Sequence, residues 1–320
     1  MRAVAFLGAL LAAGLLTTAT GAAPAWPKHP VQLVVPYGPG GAVDVIGRFV
    51  AEHLAQSLGQ PVVVLNKPGA NANIGPAAVA HADADGYTLL ASSTATVVNP
   101  LLEKNLSWRP QQFVPVARYV QAPNVLVVPA SLDVKTLAEF VALARARPGL
   151  ATSMAGPGTP QTISTGLLAQ AAGIHLTEVA YKGGVSYLPD LISGRLSVSI
   201  APMNVVLQHV RDGKLIALAV TAEARSPMLP EVPTLAEAGY PEATGVSWYG
   251  LHAPAGTPQH AIERLVQAVR AATEDSNVRE RVAAVGAETA FLDTKAFEAF
   301  LADETAKAQR YVQAAKSMTK

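Results

Sequence analysis

Residues 31–43 read VQLVVPYGPGGAV, and this stretch decides the predicted fold. An apolar run from Val31 to Val35 leads into the proline- and glycine-rich turn Pro36 to Gly41, and an amphipathic helical pattern begins near Val43. Glycine brings the backbone close to a ligand because it has no Cβ, and the first amides of a helix lack an intrahelical acceptor. Such amides bind anions. The stretch therefore predicts a strand, an anion-binding loop and a helix in succession.

The same alternation of apolar strands and helical patterns continues along the chain and predicts an α/β fold with mostly parallel sheets flanked by helices. Two sheets joined by two crossing strands, near Asn124 to Val128 and Val246 to His252, fit the order of these patterns. A ligand cleft is expected between the two resulting lobes. We expect lobe 1 to be discontinuous, with residues 26–124 and 246–320, and lobe 2 to consist of residues 125–245.

Two further junctions point to the same cleft. Thr152 to Pro160 takes a strand into the start of a helix through Gly156 and Gly158, in the other predicted lobe. Ser92-Ser93-Thr94 follows a strand of the first lobe at its carboxyl end, where ligands of open α/β sheets bind. Hydroxyl groups donate to a carboxylate without carrying a charge of their own. Facing turns of this kind are typical of a clamp for a small organic anion.

The composition indicates a globular chain and narrows its partners. Of the 320 residues 50% are hydrophobic and 15% are charged, which is enough to bury a large core in two domains. The 24 Lys and Arg residues balance 23 Asp and Glu residues, and no basic run indicates nucleic-acid or membrane binding. Cysteine is absent, which excludes disulfides and a lipidated N-terminal cysteine. We expect a small-molecule ligand and no nucleic acid.

The N-terminus is typical of a secretory signal. Met1-Arg2 carries a positive charge, residues 3–16 are apolar, and small residues end in Ala23-Pro24-Ala25. The apolar stretch is shorter than the roughly 20 residues that a helix needs to span a bilayer. We therefore expect residues 1–25 to be a signal peptide, cleaved near Ala23 or Ala25, and the mature protein to be free in the periplasm and not a lipoprotein.

Several familiar motifs fail at the points that their chemistry requires. The turn after the first strand lacks the third glycine of a dinucleotide fingerprint, and Asn66-Lys67 stands where an acidic residue would hold a ribose. The stretch His81 to Gly86 lacks the distal glutamate of a calcium loop and is interpreted as a turn. No G-x-S-x-G elbow and no H-E-x-x-H motif occurs. We expect no cofactor, no metal and no catalytic activity.

Three residues keep two interpretations each. Asp44 lies in the first turn of the predicted helix, where it either pairs with Arg48 or receives an ammonium group of the ligand. Lys182 follows a strand of the second lobe and is either solvated or paired with the ligand. Trp248, on a crossing strand, either packs in the core or forms a wall of the cleft.

Six segments of the sequence resemble, in order, the tripartite tricarboxylate transporter substrate-binding proteins, also called the Bug family. The resemblance covers essentially the whole mature chain, and the set is specific although each segment alone is weak. The segments are Pro36-Tyr37-Gly38-Pro39-Gly40-Gly41 with Asp44 and Arg48, Asp85-Gly86-Tyr87-Thr88, Val179-Ala180-Tyr181-Lys182-Gly183, Leu218-Ala219-Val220 with Arg225-Ser226, Pro233-Thr234-Leu235-Ala236-Glu237-Ala238-Gly239, and Ala253-Pro254-Ala255-Gly256-Thr257-Pro258.

The resemblance implies a two-lobed periplasmic binding protein of type II that closes over a small carboxylate, held mainly by backbone amides, hydroxyls and ordered waters of two loops. Tyr37 stands where the family commonly has Phe. The contacts implied by the two loops are Tyr37, Gly40, Gly41, Ala42 and Asp44 in the first and Gly156, Gly158, Thr159 and Gln161 in the second. The further candidate ligand contacts are Ser92, Ser93, Thr94, Tyr181, Lys182, Gly183, Asn204 and Trp248.

These observations favour a monomeric, non-catalytic receptor. It would pass a small carboxylate or acidic amino acid to the membrane permease subunits of a tripartite tricarboxylate transporter. Two alternatives stay open: a subunit that presents the carboxylate to a sensor kinase, and a periplasmic hydrolase or isomerase with Asp44 as the base.

Overall fold

Strands and helices alternate along the chain in a computed structural model, which describes residues 26–154, 158–181 and 186–318. The strands are β1 (Val31–Val35), β2 (Val62–Asn66), β3 (Thr88–Ser93), β4 (Phe113–Ala122), β5 (Asn124–Pro129), β6 (Leu150–Met154), β7 (Leu176–Ala180), β8 (Ser199–Pro202), β9 (Leu215–Val220), β10 (Ser247–Pro254) and β11 (Glu288–Leu292). The helices are α1 (Ala42–Leu58), α2 (Ile74–Ala80), α3 (Ala95–Leu102), α4 (Leu137–Ala146), α5 (Pro160–Ala172), α6 (Leu188–Ile192), α7 (Met203–Arg211), α8 (Gln259–Glu274), α9 (Ser276–Ala284) and α10 (Thr294–Met318).

The first lobe contains a six-stranded sheet in the order β11-β4-β10-β3-β1-β2. The strands β1, β2 and β3 are parallel neighbours, whereas β10 runs antiparallel to both β3 and β4. Helix α1 covers one face of this sheet with its apolar side and ends at Gly59, whose positive φ of 70° forms a left-handed cap. Each fully buried Leu or Val side chain on this face contributes about 1.5–3 kcal/mol.

The second lobe is built on two smaller sheets. Strands β8, β5 and β9 form an antiparallel sheet, and β6 pairs with β7 in parallel. A parallel bridge between Thr152 and Val198 connects the two. The helices α4 and α5 bury their apolar residues in the same cluster as Leu126 and Val128 of β5.

The chain crosses between the lobes at two places and is bridged at a third. It passes from β4 to β5 at Pro123 and returns through the residues that precede β10. The long helix α10 then packs against β4 and α3 in the first lobe and against α5 in the second. Its Phe297 is buried against Trp248, with ring centroids 5.5 Å apart, and its Tyr311 lies against Gly166 of α5. One apolar cluster therefore continues from one lobe into the other.

The sheets are mixed rather than mostly parallel, which differs from the expectation. The returning strand β10 inserts between β3 and β4 in the opposite direction, so three of the five pairings in the first sheet are antiparallel. Three elements were not predicted: α3, β4 and β11. Helix α3 contains Pro100 and β4 contains Pro115, and both prolines obscure the periodic pattern. The short β11 is half-buried throughout and has no alternation.

Among the described residues, no helix is both long enough and apolar enough to cross a membrane. The predicted signal peptide, residues 1–25, lies outside the described residues.

Candidate functional site

Loop 1, Pro36 to Gly41, leaves the carboxyl end of β1 and is exposed from Gly38 onward. It needs glycine at one position for its shape, since Gly40 has a positive φ of 84°. The adjacent Gly41 has an ordinary φ of −73°, and a Cβ built there would meet only the Gly38 carbonyl at 3.6 Å. A side chain at Gly41 is therefore compatible with both the backbone and the surrounding space.

A buried carboxylate holds loop 1 in place. Asp44 is only 2% exposed and accepts hydrogen bonds from the Gly40 amide at 2.9 Å and from the Asn66 side-chain amide at 2.8 Å. Arg48 pairs with both of its oxygens, at 2.9 and 3.1 Å. Burial raises the pKa of the Asp44 carboxyl, but the hydrogen bonds from Arg48, Asn66 and Gly40 outweigh burial and lower the pKa below its usual range.

These contacts favour the ion-pair interpretation of Asp44. Both carboxylate oxygens are already occupied by donors of its own lobe, so an ammonium group would have to compete with Arg48. The Gly40 amide is occupied as well, since it donates to Asp44. Asp44 and Gly40 thus shape loop 1 in this conformation, and ligand contact by either residue stays a prediction.

The first turn of α1 has backbone donors to spare. Gly41 is the N-cap residue, and no side chain caps this helix. The Gly41 carbonyl accepts the Val45 amide at 2.9 Å, but in the described part of the chain the amides of Gly41 and Ala42 have no acceptor. Both residues are exposed. Unpaired amides at the positive end of a helix dipole favour an anion at this position.

The hydroxyl groups of Ser92 and Ser93, the last two residues of β3, lie on opposite faces of the sheet, because successive strand residues point to opposite sides. Ser93 faces loop 1, and its Oγ lies 3.0 Å from the Tyr37 hydroxyl. Ser92 faces the other way, and its Oγ lies 2.7 Å from Nδ1 of His252. Burial raises the pKa of the Tyr37 hydroxyl, although the Ser93 contact lowers it, so Tyr37 is a neutral hydrogen-bonding group.

Loop 2, residues 155–159, is described only at Gly158 and Thr159, so the predicted contact Gly156 lies outside the described residues. The Thr159 side chain caps α5 by accepting the Thr162 amide at 3.3 Å, and Pro160 begins the helix without an N–H. Gly158 has a φ of +76°, and a Cβ there would overlap Val98 of α3. The two lobes are therefore in contact beside Ser93 and Thr94, which lead directly into α3.

Gln161, in the first turn of α5, is hydrogen-bonded to a residue at the point where the chain crosses between the lobes. Gln161 donates from Nε2 to Oδ1 of Asn124 at 2.7 Å, and Asn124 is buried at the start of β5. The Asn124 amide nitrogen Nδ2 is buried without an acceptor in the part of the chain that is described. Gln161 thus ties the start of α5 to one of the connections between the lobes.

The remaining predicted contacts that the structure describes have partners outside loop 1. Tyr181 donates its hydroxyl to Asp190 at 2.8 Å within lobe 2, and Lys182 and Gly183 lie outside the described residues. Asn204, at the start of α7, packs against Gly286 of the first lobe. Trp248 is completely buried against the rings of α10, which favours core packing over a cleft wall. Ligand contact by these residues stays a prediction.

One residue that holds loop 1, and one partner of the predicted contact Ser92, were missed in the sequence. Asn66 donates to the Tyr37 carbonyl at 3.0 Å and to Asp44, and so connects the end of β2 to loop 1. Its position as the last residue of a strand beside β1 was the available signal, because the carboxyl ends of parallel neighbours lie together. His252 had no local signal, since its partner Ser92 is 160 residues away in sequence.

Two α/β lobes joined by crossing segments, with unpaired backbone amides at the carboxyl ends of the strands of one lobe, are typical of a solute-binding protein. The sequence pattern of the tripartite tricarboxylate transporter family receptor matches residues 46–316, and the chain belongs to this family. The protein BugT of Bordetella pertussis is 37% identical over 308 residues, which are 95% of this chain and 94% of BugT. The family predicted from the sequence is confirmed.

Solved structures agree on the fold. A TctC solute-binding protein from Polaromonas, solved without ligand, has a TM-score of 0.83 and 27% identity, covering 90% of this chain and 99% of that chain. A protein from R. palustris solved with adipate has a TM-score of 0.74 and 32% identity, covering 91% of this chain and 98% of its own. The fold class of a two-lobed periplasmic binding protein is confirmed, and the family consists of receptors rather than enzymes.

Proposed function

We propose that the protein is a periplasmic receptor that binds a small dicarboxylate between its lobes and delivers it to the permease of a tripartite tricarboxylate transporter. The observation that carries the proposal is the uncapped start of α1, where the exposed amides of Gly41 and Ala42 have no acceptor in the described part of the chain. One carboxylate of the ligand accepts these amides. The adipate held by the R. palustris relative supports a dicarboxylate as the substrate class.

The energetics favour neutral donors at this position. A carboxylate that accepts charge-assisted hydrogen bonds gains roughly 1.5–3 kcal/mol from each, which offsets its lost hydration without a buried cation. The hydroxyls of Tyr37 and Ser93, which lie 3.0 Å apart, are two further neutral groups that we assign to the ligand. Arg48, the cation in the hydrogen-bond network of loop 1, is already paired with Asp44. The positive charge that attracts the ligand carboxylate therefore comes from the helix dipole.

Closure completes the site from the second lobe. We place the lobe boundaries at residues 26–124 with 246–320 and at residues 125–245, with movement about the segments before β5 and β10. Loop 2 approaches the ligand through Gly158, which already touches α3. A monomer suffices for this mechanism, because both loops belong to one chain.

Identification of the ligand tests the proposal directly. The protein is purified without added acids, denatured, and the released small molecules are identified by mass spectrometry. Calorimetric titration with adipate and with shorter and longer dicarboxylates then ranks the class. We expect a carboxylate in the released fraction and affinity for at least one dicarboxylate that the Gly41→Val variant lacks. Release of a cation or a neutral sugar, with no dicarboxylate binding, would contradict the proposal.

A transport assay separates delivery from sensing. Uptake of the identified acid is measured in cells with and without the gene. Loss of uptake that is restored by the intact protein supports delivery to a permease. Unchanged uptake with a lost transcriptional response to the acid would assign the protein to a sensor instead.

A further inference from the structure

A cavity of about 440 Å³ lies in the first lobe, on the face of the six-stranded sheet that α3 and α10 cover. It is separate from the loop 1 region, because Ser93 and Tyr37 lie on the opposite face of β3. Its rim is formed by the exposed residues Pro110 and Gln111. The walls of the cavity are mainly the apolar side chains of Leu90, Val97, Leu101, Trp108, Phe113 and Leu301.

One polar atom faces this apolar space. His252 is 7% exposed, and its Nδ1 lies 2.7 Å from the Ser92 hydroxyl. Its other ring nitrogen, Nε2, has no hydrogen-bond partner in the described part of the chain, although His252 lines the cavity. The rings of Phe113 and Phe297 contact the imidazole edge-on, at 6.3 and 5.2 Å between centroids, and fix its orientation.

The imidazole is uncharged at neutral pH. Burial lowers the pKa of His252 to about 3, and no acidic residue is among the side chains that line the cavity. Nε2 is therefore a neutral donor or acceptor, depending on which way the Ser92 hydroxyl is turned.

The other polar side chains of the walls are already paired. The Thr96 hydroxyl donates to the Ser93 carbonyl at 2.7 Å, and the Thr305 hydroxyl donates to the Leu301 carbonyl at 2.7 Å. The Trp108 indole nitrogen donates to Asn73 at 3.1 Å. Gln111 is the remaining polar side chain, and it lies at the exposed rim. Below the rim, an occupant would thus meet apolar walls and the unpaired nitrogen of His252.

From this geometry we infer that the cavity is a second binding site, for a small uncharged aromatic molecule with one hydrogen-bonding group directed at His252. A cavity of about 150 Å³ already binds benzene, so this space accommodates a substituted ring. Apolar walls with one convergent polar group are typical of small-molecule sites. A carboxylate is excluded as the occupant because the lining side chains offer no cation and, apart from His252 and Gln111 at the rim, no unpaired polar group, so its desolvation would be uncompensated.

Three matched probes test the site on the full chain. Binding of 4-methylphenol, toluene and 4-methylbenzoate is measured by ligand-observed NMR and calorimetry. These probes share the methylphenyl body and differ in the polar group. We expect 4-methylphenol to bind about ten-fold more tightly than toluene, and 4-methylbenzoate not to enter the cavity. Equal affinity for 4-methylphenol and toluene, or no binding of either, would overturn the inference.

Variants then locate the binding. Leu301→Trp fills the cavity and should abolish binding of 4-methylphenol while the thermal unfolding midpoint and dicarboxylate binding persist. Val97→Phe serves the same purpose from α3 if the first variant does not fold. The double replacement Ser92→Ala with His252→Phe should remove the preference for 4-methylphenol over toluene. If His252 had only a structural role, this preference would be unchanged. If 4-methylphenol bound undiminished to a folded variant whose cavity is filled by the new side chain, the site would lie elsewhere and the inference would be contradicted.

Discussion

The starts of α1 and α5 occupy equivalent places after a strand in each lobe, yet they treat their backbone donors differently. Helix α1 has no side-chain cap, and the amides of Gly41 and Ala42 have no acceptor in the described part of the chain. Helix α5 begins with Pro160, which has no N–H, and the Thr159 hydroxyl caps the Thr162 amide. One lobe leaves its donors for an external acceptor, and the other satisfies most of them internally.

The difference indicates a division of labour in the proposed receptor. The first lobe provides the binding free energy for a carboxylate through its amides, and the second lobe provides shape through the close approach of Gly158 to α3. Glycine at the N-cap is less favourable than Ser, Thr, Asn or Asp by only a few tenths of a kcal/mol, so the start of α1 leaves its amides open at little cost in stability.

The largest expected effect comes from covering the α1 amides. Gly41→Val should reduce dicarboxylate affinity at least 100-fold, because roughly two charge-assisted hydrogen bonds of 1.5–3 kcal/mol each are lost. The ordinary φ of Gly41 and its open surroundings predict an unchanged fold. Calorimetry gives the affinity and thermal unfolding checks the fold.

Thr159→Val is the matched variant at α5. It should lower the free energy of unfolding by about 1 kcal/mol through the lost cap and change affinity only a few-fold. If both variants lost affinity equally, the proposed difference between the two helix starts would be wrong.

The second prediction concerns the carboxylate that shapes loop 1. Asp44→Asn should lower the free energy of unfolding by about 2–3 kcal/mol, because a buried acceptor of three partners is replaced by a group that also donates. The estimate is at the low end for a broken pair, since the Arg48 side chain is 48% exposed and solvent screens it. Affinity should fall as well, because the Gly40 amide loses its anchor. Chemical denaturation and calorimetry measure the two effects.

Glu237→Gln is a suitable control for Asp44→Asn. Glu237 also accepts a backbone amide, from Thr234 at 2.8 Å, and pairs with Arg225, but this group is on the surface. A clearly smaller loss of stability and no change in affinity are expected. An equal loss in the two variants would show that burial of Asp44 is unimportant.

Stability and ligand affinity should depend differently on pH, because Glu304 at the lobe junction titrates and the α1 amides do not. Burial raises the pKa of Glu304 from 4.5 to about 7, with Lys307 opposing and Asp303 adding to the shift. Arg118 and Glu223 face it from the other elements around the adjoining cavity. Because the folded state retains this proton more strongly than the unfolded state, the contribution of Glu304 to stability is fully present below about pH 4.5 and is lost as the pH rises through 7.

Glu304→Gln should therefore remove about 2 kcal/mol of this decline between pH 5 and pH 8. Dicarboxylate affinity should stay flat over pH 6–8, because the α1 amides do not titrate. Glu298→Gln, an exposed replacement on the same helix, should leave the decline intact. A wild-type stability that rises between pH 5 and pH 7 would refute the assignment to Glu304.

The smallest effect is expected at Tyr37. Tyr37→Phe removes the hydroxyl that contacts Ser93 and restores the residue that the family commonly has. A net hydrogen bond of about 0.5–1 kcal/mol predicts a few-fold change in affinity at most. Titration of the variant with the identified acid gives the result. A loss of affinity as large as that of Gly41→Val would show that the main binding contact is the Tyr37 hydroxyl and not the α1 amides.

The sequence predicted those features that depend on neighbouring residues. The run from Val31 to the start of α1 contains the strand, the turn and the helix in one local pattern, and the structure has all three. The start of α5 follows from Thr159 and Pro160 in the same way. Local propensity and capping act over a few residues, so a single sequence reveals them.

Features that depend on pairing in space were not predictable. The role of Asp44 is decided by Asn66, which is 22 residues away and reaches it only because β2 pairs with β1. The burial of Trp248 depends on α10, which returns across β10 from the end of the chain. The α3 helix was hidden because Pro100 and β-branched residues weaken its local signal.

Helix α10 has a consequence for recognition by a membrane partner. Because it contacts both α3 and α5, the preferred separation of the lobes is set partly by the protein itself. A receptor that is held together in this way spends less ligand free energy on reorganisation. The separation of the lobes then differs little between the ligand-bound and the ligand-free receptor. A permease would therefore need to recognise the rim of the occupied cleft in order not to bind ligand-free receptors.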